Sequence, residues 1–428
     1  MKVLIIILLL NFCSAQASGV SVFGLGDRLG NIDAASQGLG KSNFFTGNLN
    51  GISFSSPSSI WKTNLTCFNV NSGMNFLDIP ENRQLFHQSL SLFSVTFPIK
   101  KEMSIGFGIR PLYRTNKFKF SEDINFFGED KSNTGSPIAY KKLFQIDGGL
   151  SKLFFQYSSR INRQFSIGIE YAFLFGNFIL KESRYMYSVA LESEGNISLS
   201  EYNYGDSIYY LNILDGELTN ILKNKRIKSS EIIIEGSFKK QFWQLLLRGI
   251  INGQAEFFLN TSETTDGMQS IYDIVKMESA KFSSIGIGYN YFTNNNYGLI
   301  LETHISKPFN ISKEVLLFNI MPPSENSFHL GFYRNILNKN YGYWSNFSLR
   351  FGSYIKEINF VEYSNNYFDY GLTFGIGLEL LSNSQFFDIS LCAGKRGNPL
   401  FEGESEKYIG IHLGLTTGEK WFLKRRRK

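Results

Sequence analysis

Three of the four histidines in this 428-residue chain stand in stretches of alternating polarity: His304 in "LILETHISK", His329 in "SFHLGFYR" and His412 in "YIGIHLGL". Imidazoles gathered on one polar face are metal-ligand chemistry in principle. These three are far apart in sequence and lack any paired spacing, so a polar wall is the simpler role and no metal is expected. The other ionisable residues on such polar faces are Arg110, Glu170, Glu302, Arg350, Glu379 and Asp388. Mixed signs on one face suit a hydrogen-bonded wall whose charges pair with each other. The sharper alternative is that Arg110 or Arg350 grips the anionic head of an amphipathic ligand, since guanidinium meets carboxylates in a bidentate way. Covalent chemistry has no footing here. There is no nucleophile motif or zinc spacing, and "GLGDRLG" lacks both the preceding strand and the Lys-Ser/Thr of a phosphate loop. No enzyme and no cofactor are expected.

The elements that carry these residues are strands. In "KEMSIGFGIRPLYR", Met103, Ile105, Phe107, Ile109 and Tyr113 share one face of an extended chain, and Ser104, Gly106, Gly108 and Arg110 the other. The same rhythm returns in "RQFSIGIEYAFLFG", "SSIGIGYNY", "YGLTFGIGLEL" and "YIGIHLGL". An apolar face opposite glycine, serine and ionisable groups is the pattern of a barrel with lipid outside and water inside. A soluble sandwich would alternate too, but with more Lys and Thr and less Gly on its polar faces. The composition agrees: 41 Phe and 22 Tyr favour strands, and 9 Pro is few.

Fourteen alternating segments can be placed, from Ile60–Val70 to Tyr408–Thr416, an even number as bacterial barrels require. Their links alternate. Tight ones are "PIKKE", "RINR", "KK", "TNNN", "NILNKNYG" and "LSNS"; long ones run from Thr115 to Lys142, Asn177 to Lys228 and Gly253 to Lys281. Short periplasmic turns with long outside loops are expected, with both barrel ends on the short-turn side.

Three parts stand apart. Residues 1–17 read as a secretory signal: Lys2, an apolar run and small residues before a cut near Ala15 or Ala17. Residues 18–59 are rich in Gly, Ser and Asn without a sustained period, about the right size for a plug in the lumen of a barrel over 60–416. Residues 417–428 form a basic tail. Trp421 and Phe422 suit a membrane interface, and Lys424, Arg425, Arg426, Arg427 and Lys428 supply five of the six net positive charges. With Lys2 in the signal, the body is near neutral, and the export signal excludes nucleic acid as a partner. The tail is expected to meet anionic lipid or a periplasmic partner. Cys67 and Cys392 are too few and too distant to make a disulfide framework.

With these features the chain resembles the FadL-like family of outer-membrane transporters (OMPP1/FadL/TodX), in a Bacteroidetes-type branch. The residues that carry the resemblance are "RFGSYIKE", "YGLTFGIGLEL", "AGKRGNP", "EKYIGIHLGLTTGEKWFLKRRRK", "GGLSKLFFQYSSRINRQFSIGIEYAFLFGN" and the weaker "SVFGLGD". It implies an all-β, fourteen-stranded transmembrane barrel of the bacterial outer membrane with an N-terminal hatch in its lumen. Hatch residues would then be Phe23, Gly24, Gly26 and Asp27, with Ser56, Pro57 and Ser58 standing where the family usually carries Asn-Pro-Ala. The lumen would be lined by Arg110, Glu170, Glu302, His304, His329, Arg350, Glu379, Asp388 and His412.

The function implied is uptake of small hydrophobic or amphipathic molecules past that hatch, by capture on outside loops and release laterally or into the periplasm. The stretch "YYLNIL", Tyr209 to Leu214, offers an apolar landing site. The alternative is a docking or assembly barrel for exported proteins in a secretion system, with the hatch shut. The barrel-assembly machinery is expected as a partner during biogenesis, because it reads a barrel's final strand.

Overall fold

The structure, a computed structural model, describes residues 27–28, 33–47, 52–79, 83–120, 125–127, 138–190, 199–204, 207–253, 255–265, 268–271, 275–278, 281–293, 296–309, 323–335, 347–359, 366–380, 385–397 and 405–419. Fourteen of its strands form a closed antiparallel barrel. They are β1 (Thr66–Ile79), β2 (Arg83–Lys100), β3 (Met103–Phe120), β4 (Ile138–Arg160), β5 (Phe165–Ala190), β6 (Ser207–Lys239) and β7 (Trp243–Asn252). The circuit continues with β8 (Lys281–Phe292), β9 (Tyr297–Phe309), β10 (Ser324–Arg334), β11 (Phe347–Asn359), β12 (Asn366–Glu379), β13 (Gln385–Gly397) and β14 (Glu406–Glu419). Each strand pairs with its neighbour, and β14 closes on β1 from Thr66↔Glu419 to Asp78↔Lys407. Closure leaves no unpaired edge, which a wall in hydrocarbon requires.

Side-chain parity follows the alternation. On β3, Ile105, Phe107 and Ile109 are exposed outside, while Ser104, Gly106, Gly108 and Arg110 are buried inside. On β4, Leu153, Phe155 and Tyr157 point out, while Lys152, Phe154, Gln156 and Ser158 point in. Tyr113 departs from this pattern. A register shift between Pro111 and Tyr113 sets Tyr113 opposite Leu150, and both are buried. One extra residue at a bulge reverses the parity beyond it.

Most strand ends differ from the sequence expectation, and the two termini of the circuit show it. The first strand starts at Thr66 rather than Ile60, because Pro57–Lys62 is a 3-10 helix opened by the fixed φ of proline. The last strand runs on to Glu419. The segments expected as long loops are largely strand. β5 and β6 continue to Ala190 and from Ser207, and strand Glu256–Thr265 pairs with residues 219–228 of β6. "YYLNIL" therefore lies inside β6. β6 has 33 residues, about three times what a tilted strand needs to cross a bilayer. Beyond the lipid an apolar face is no longer needed, so alternation fades, but backbone groups still need partners and the ladder continues. Residues 1–17, and the tail residues Trp421, Phe422, Lys424, Arg425, Arg426 and Arg427, lie outside the described residues.

Candidate functional site

The N-terminal segment, described over 33–47 and 52–65, packs on the inward side chains of the wall. It buries Leu39, Phe44 and Phe45 against Leu246, Ile300 and Tyr333, and Phe54 against Leu92 and Phe154, and four sets of polar contacts add to this. On β6 and β7, Glu235 accepts hydrogen bonds from the Ser56 hydroxyl, from Ser58 Oγ at 2.5 Å and from the Ser58 amide at 3.2 Å. Arg248 Nε donates to Glu235 at 2.7 Å, and its Nη2 donates to the Ser55 carbonyl at 2.8 Å. On β9, Glu302 accepts from the Ser42 hydroxyl and from the Asn43 amide at 2.8 Å, with His304 Nε2 3.5 Å away. On β11, Arg350 donates to the Thr46 carbonyl at 2.7 Å and pairs with Asp388 of β13 at 2.8 Å. Around the turn after helix α1 (Ala34–Gln37), Thr373 accepts from the Gly40 amide and donates to the Gly38 carbonyl, and His329 bonds the Gly40 carbonyl at 2.8 Å.

Two glycines allow the backbones to meet. A Cβ on Gly168 would lie 2.2 Å from the Pro57 carbonyl carbon, and one on Gly352 would lie 2.1 Å from the Gly40 nitrogen. Gly40 itself has φ +67°, which glycine adopts without strain.

The electrostatics of the segment follow from burial. Asp33 caps α1 by accepting from the Ser36 amide at 2.8 Å, and desolvation raises its pKa to about 6. Lys41 Nζ donates to Tyr354 Oη at 2.9 Å and to Tyr408 Oη at 2.8 Å, and both phenols donate to Asp369, which Arg396 meets at 3.1 Å. Desolvation lowers the pKa of Lys41, opposed by the nearby Asp369 carboxylate. Lys62 is lowered to about 8, by desolvation and then by the like charge of Lys239.

Higher in the barrel lies a charge layer on β3 to β6. Arg110 reaches Glu170 at 3.3 Å, and Lys152 meets both Glu170 (2.5 Å) and Glu231. Gln156 donates to Glu170 at 2.6 Å and to the Phe54 carbonyl at 3.1 Å. Next to it is a cluster of inward apolar side chains: Leu112, Tyr113, Leu150, Leu174, Phe178 and Ile227, flanked by Ala255. Behind that cluster the wall is thin. Gly148, Gly149 and Gly176 border an outer hollow of about 520 Å³ that Ile227 also lines. At the tight-turn end opens a larger cavity of about 1120 Å³.

The sequence-derived residues thus fall into place separately. Arg110 joins Glu170, Arg350 joins Asp388, and Glu302 joins His304, whose ring centroid is 5.8 Å from that of His329. His412 stands apart, 3.8 Å from the Cys392 sulfur. Glu379 lines the tight-turn cavity. Among the described residues no three His, Cys, Asp or Glu form a metal-holding group, and Cys67 and Cys392 are both free thiols. Asp27 pairs in a short strand with Arg114, and Phe23, Gly24 and Gly26 lie outside the described residues. Sequence reasoning passed over Lys152, Glu231, Glu235, Arg248 and Lys41. The first four carry the inward parity of strands already recognised, as in "EIIIEGSF"; Lys41, in the aperiodic segment, carries no such signal.

The BamG family model matches residues 1–428, the whole chain. No curated protein matches it. Among solved structures, a Pseudomonas aeruginosa FadL homologue superposes with TM-score 0.52 at 10% identity, covering 92% of this chain and 99% of that one. A deletion variant of TodX, a monoaromatic hydrocarbon channel, does so with TM-score 0.53 at 10% identity, again over 92% and 99%. At that identity the likeness is one of fold, that of FadL-type barrels.

Proposed function

The chain belongs to the BamG family, and we propose that it is a bacterial outer-membrane barrel that takes up small hydrophobic or amphipathic molecules, with the N-terminal segment as its hatch. The observation that carries this reading is the apolar cluster around Leu174 and Phe178. A barrel lumen is ordinarily polar, and six apolar side chains turned inward above a charge layer make a chamber suited to an apolar solute. The outward band of Ile105, Phe107, Phe155, Ile169, Tyr171 and Ile287 supports residence in lipid. The likeness in fold to TodX, a hydrocarbon channel, supports the same solute class.

In this reading a solute enters between the outside hairpins, settles on Leu112, Leu150 and Leu174, and leaves by the thin glycine wall or past the segment into the tight-turn cavity. The charge layer of Lys152, Glu170 and Arg110 lies below and favours apolar bodies staying above it. Uptake of radiolabelled long-chain fatty acid and toluene, by cells with and without the chain, tests this. We expect uptake that depends on the chain and falls at least about tenfold in Leu174→Asp, because a carboxylate in the chamber must be desolvated by the solute. Equal uptake with and without a correctly inserted barrel would sink the reading.

A second reading has its own support. The contacts at Glu235, Glu302, Arg350 and Thr373 tie the segment at four places, which favours a shut lumen and a barrel that docks exported proteins. Retention of those proteins by a chain that passes no solute would favour it.

A further inference from the structure

The tight turns at one end of the barrel are unequal in charge. On the β2–β3, β4–β5 and β6–β7 turns stand Lys100, Lys101, Arg160, Arg163, Lys239 and Lys240, against one carboxylate, Glu102. The β8–β9 turn is "TNNN" and the β12–β13 turn is "LLSNS", with no charge in either. Lys101, Arg160, Arg163, Lys239 and Lys240 all border the large cavity. Glu102 meets Arg160 at 3.7 Å on an open surface, where such a pair is worth little.

The N-terminal segment adds to this arc from within. Lys62, also lining the cavity, makes no ion pair among the described residues, and Lys239 on the same lining carries a like charge. Beside it, the Trp61 indole N–H is buried and has no hydrogen-bond partner among the described residues, and Arg160 lies 5.0 Å over the Trp61 ring. Phe54, Leu65 and Phe165 complete an apolar floor. Asp33, Glu379 and Asp388 line the cavity too, on the N-terminal segment, β12 and β13, and Asp388 is paired with Arg350. On the arc from β2 to β7 cations prevail, and such an arc beside a concave apolar floor attracts the opposite sign.

We propose that this mouth is a receptor for an acidic, aromatic-bearing polypeptide segment of a partner on the tight-turn side. Length decides for a polypeptide over a small anion. Successive turns are two strands apart, about 10 Å, so the three turns span roughly 20 Å, which an extended chain covers in about six residues. Shape favours a chain over a flat lipid surface, since the floor is concave and the buried Trp61 indole N–H lies within it. The docking does not require solute passage, so it can fail while uptake stands, or stand while uptake fails.

The test uses the full-length chain in neutral detergent and a short fluorescent peptide of alternating Asp and Ser ending in Phe. Binding is read by anisotropy. We expect saturable binding that weakens about tenfold as salt rises from low to several hundred millimolar, and none with Asn in place of Asp. Lys62→Gln with Lys239→Gln should weaken binding at least tenfold. Lys407→Gln, exposed at the opposite end on β14, should leave it unchanged. Heat-modifiable migration on gels checks folding. If that half-buried pair fails the check, Arg163→Gln with Lys240→Gln, both at exposed positions, serves in its place with the same expected loss. Equal binding of the Asn peptide, or equal loss in Lys407→Gln, would overturn the proposal. So would displacement of the peptide by low millimolar inorganic phosphate, which would mark a small-anion site, or by phosphatidylglycerol vesicles, which would mark a lipid surface.

Discussion

The lower and upper parts of the lumen solve the same problem in opposite ways. Below, the wall meets another stretch of its own chain, and it adds buried charge to the apolar contacts of Leu39, Phe44, Phe45 and Phe54: Glu235 with Arg248 on Ser55, Ser56 and Ser58, Glu302 on Ser42 and Asn43, Arg350 on Thr46. Above, between β3 and β6, the cluster of Leu112, Leu150, Leu174 and Phe178 is built from strand residues alone. Burial of Leu39, Phe44, Phe45 and Phe54 anchors the segment, and charge with hydrogen-bond geometry specifies its one register. Apolar contact is indifferent to orientation, which suits a solute rather than a fixed chain. The first arrangement should therefore break sharply on single changes, and the second should yield gradually.

The largest effect is expected from Glu235→Ala. It leaves Arg248 buried without its carboxylate and removes the acceptor for Ser56 and Ser58, at a cost of about 3–5 kcal/mol. Amide exchange over residues 52–65 should accelerate by roughly two to three orders of magnitude while the barrel strands keep their protection. Unchanged exchange there would mean the segment is held by packing alone.

Gly168→Ala comes next. Its Cβ would press on the Pro57 carbonyl carbon at 2.2 Å, whereas a Cβ on Gly249 would meet nothing within 4 Å. The first substitution should cost about 1–3 kcal/mol by overpacking and the second should be close to neutral, as thermal unfolding in detergent would show.

Asp33 gives the comparison a pH axis. Its pKa is raised in the folded chain to about 6, above the unfolded value near 3.9. The native state therefore holds this proton more tightly. Any stabilisation from it is complete below about pH 4 and is lost as pH rises through 6, on the order of 3 kcal/mol in all. Exchange at α1 should accelerate over that window, and Asp33→Asn should flatten the dependence.

The smallest effect belongs to the upper cluster. Ile227→Val should lower stability by about 1 kcal/mol, and saturating toluene should recover part of it by binding the folded barrel. Full insensitivity of the melting temperature to toluene would detach the cluster from any solute.

Much of this molecule is written in period two. Ile105 against Gly106 and Tyr171 against Glu170 already state which face meets lipid and which meets the lumen, because a strand has only two faces and the bilayer punishes polar groups on one. The number of strands, the side on which the tight turns lie and the inward placement of Arg110, Glu170, Glu302 and Arg350 follow from the same constraint. What period two does not carry is pairing across the lumen. Lys152 and Glu231 are 79 positions apart and meet only because three adjacent strands bring them to one level. The strand ends beyond the lipid faded from view for a related reason, since water no longer demands an apolar face there.

Local chemistry alone determined the wall, its two faces and the basic turns. Tertiary structure decided the rest: the bulge that turns Tyr113 inward, the partners of Glu235 and Glu302, and the gathering of Lys41 with two tyrosines from β11 and β14. A segment without periodicity has no preferred face of its own, so only the closed wall could choose where it sits.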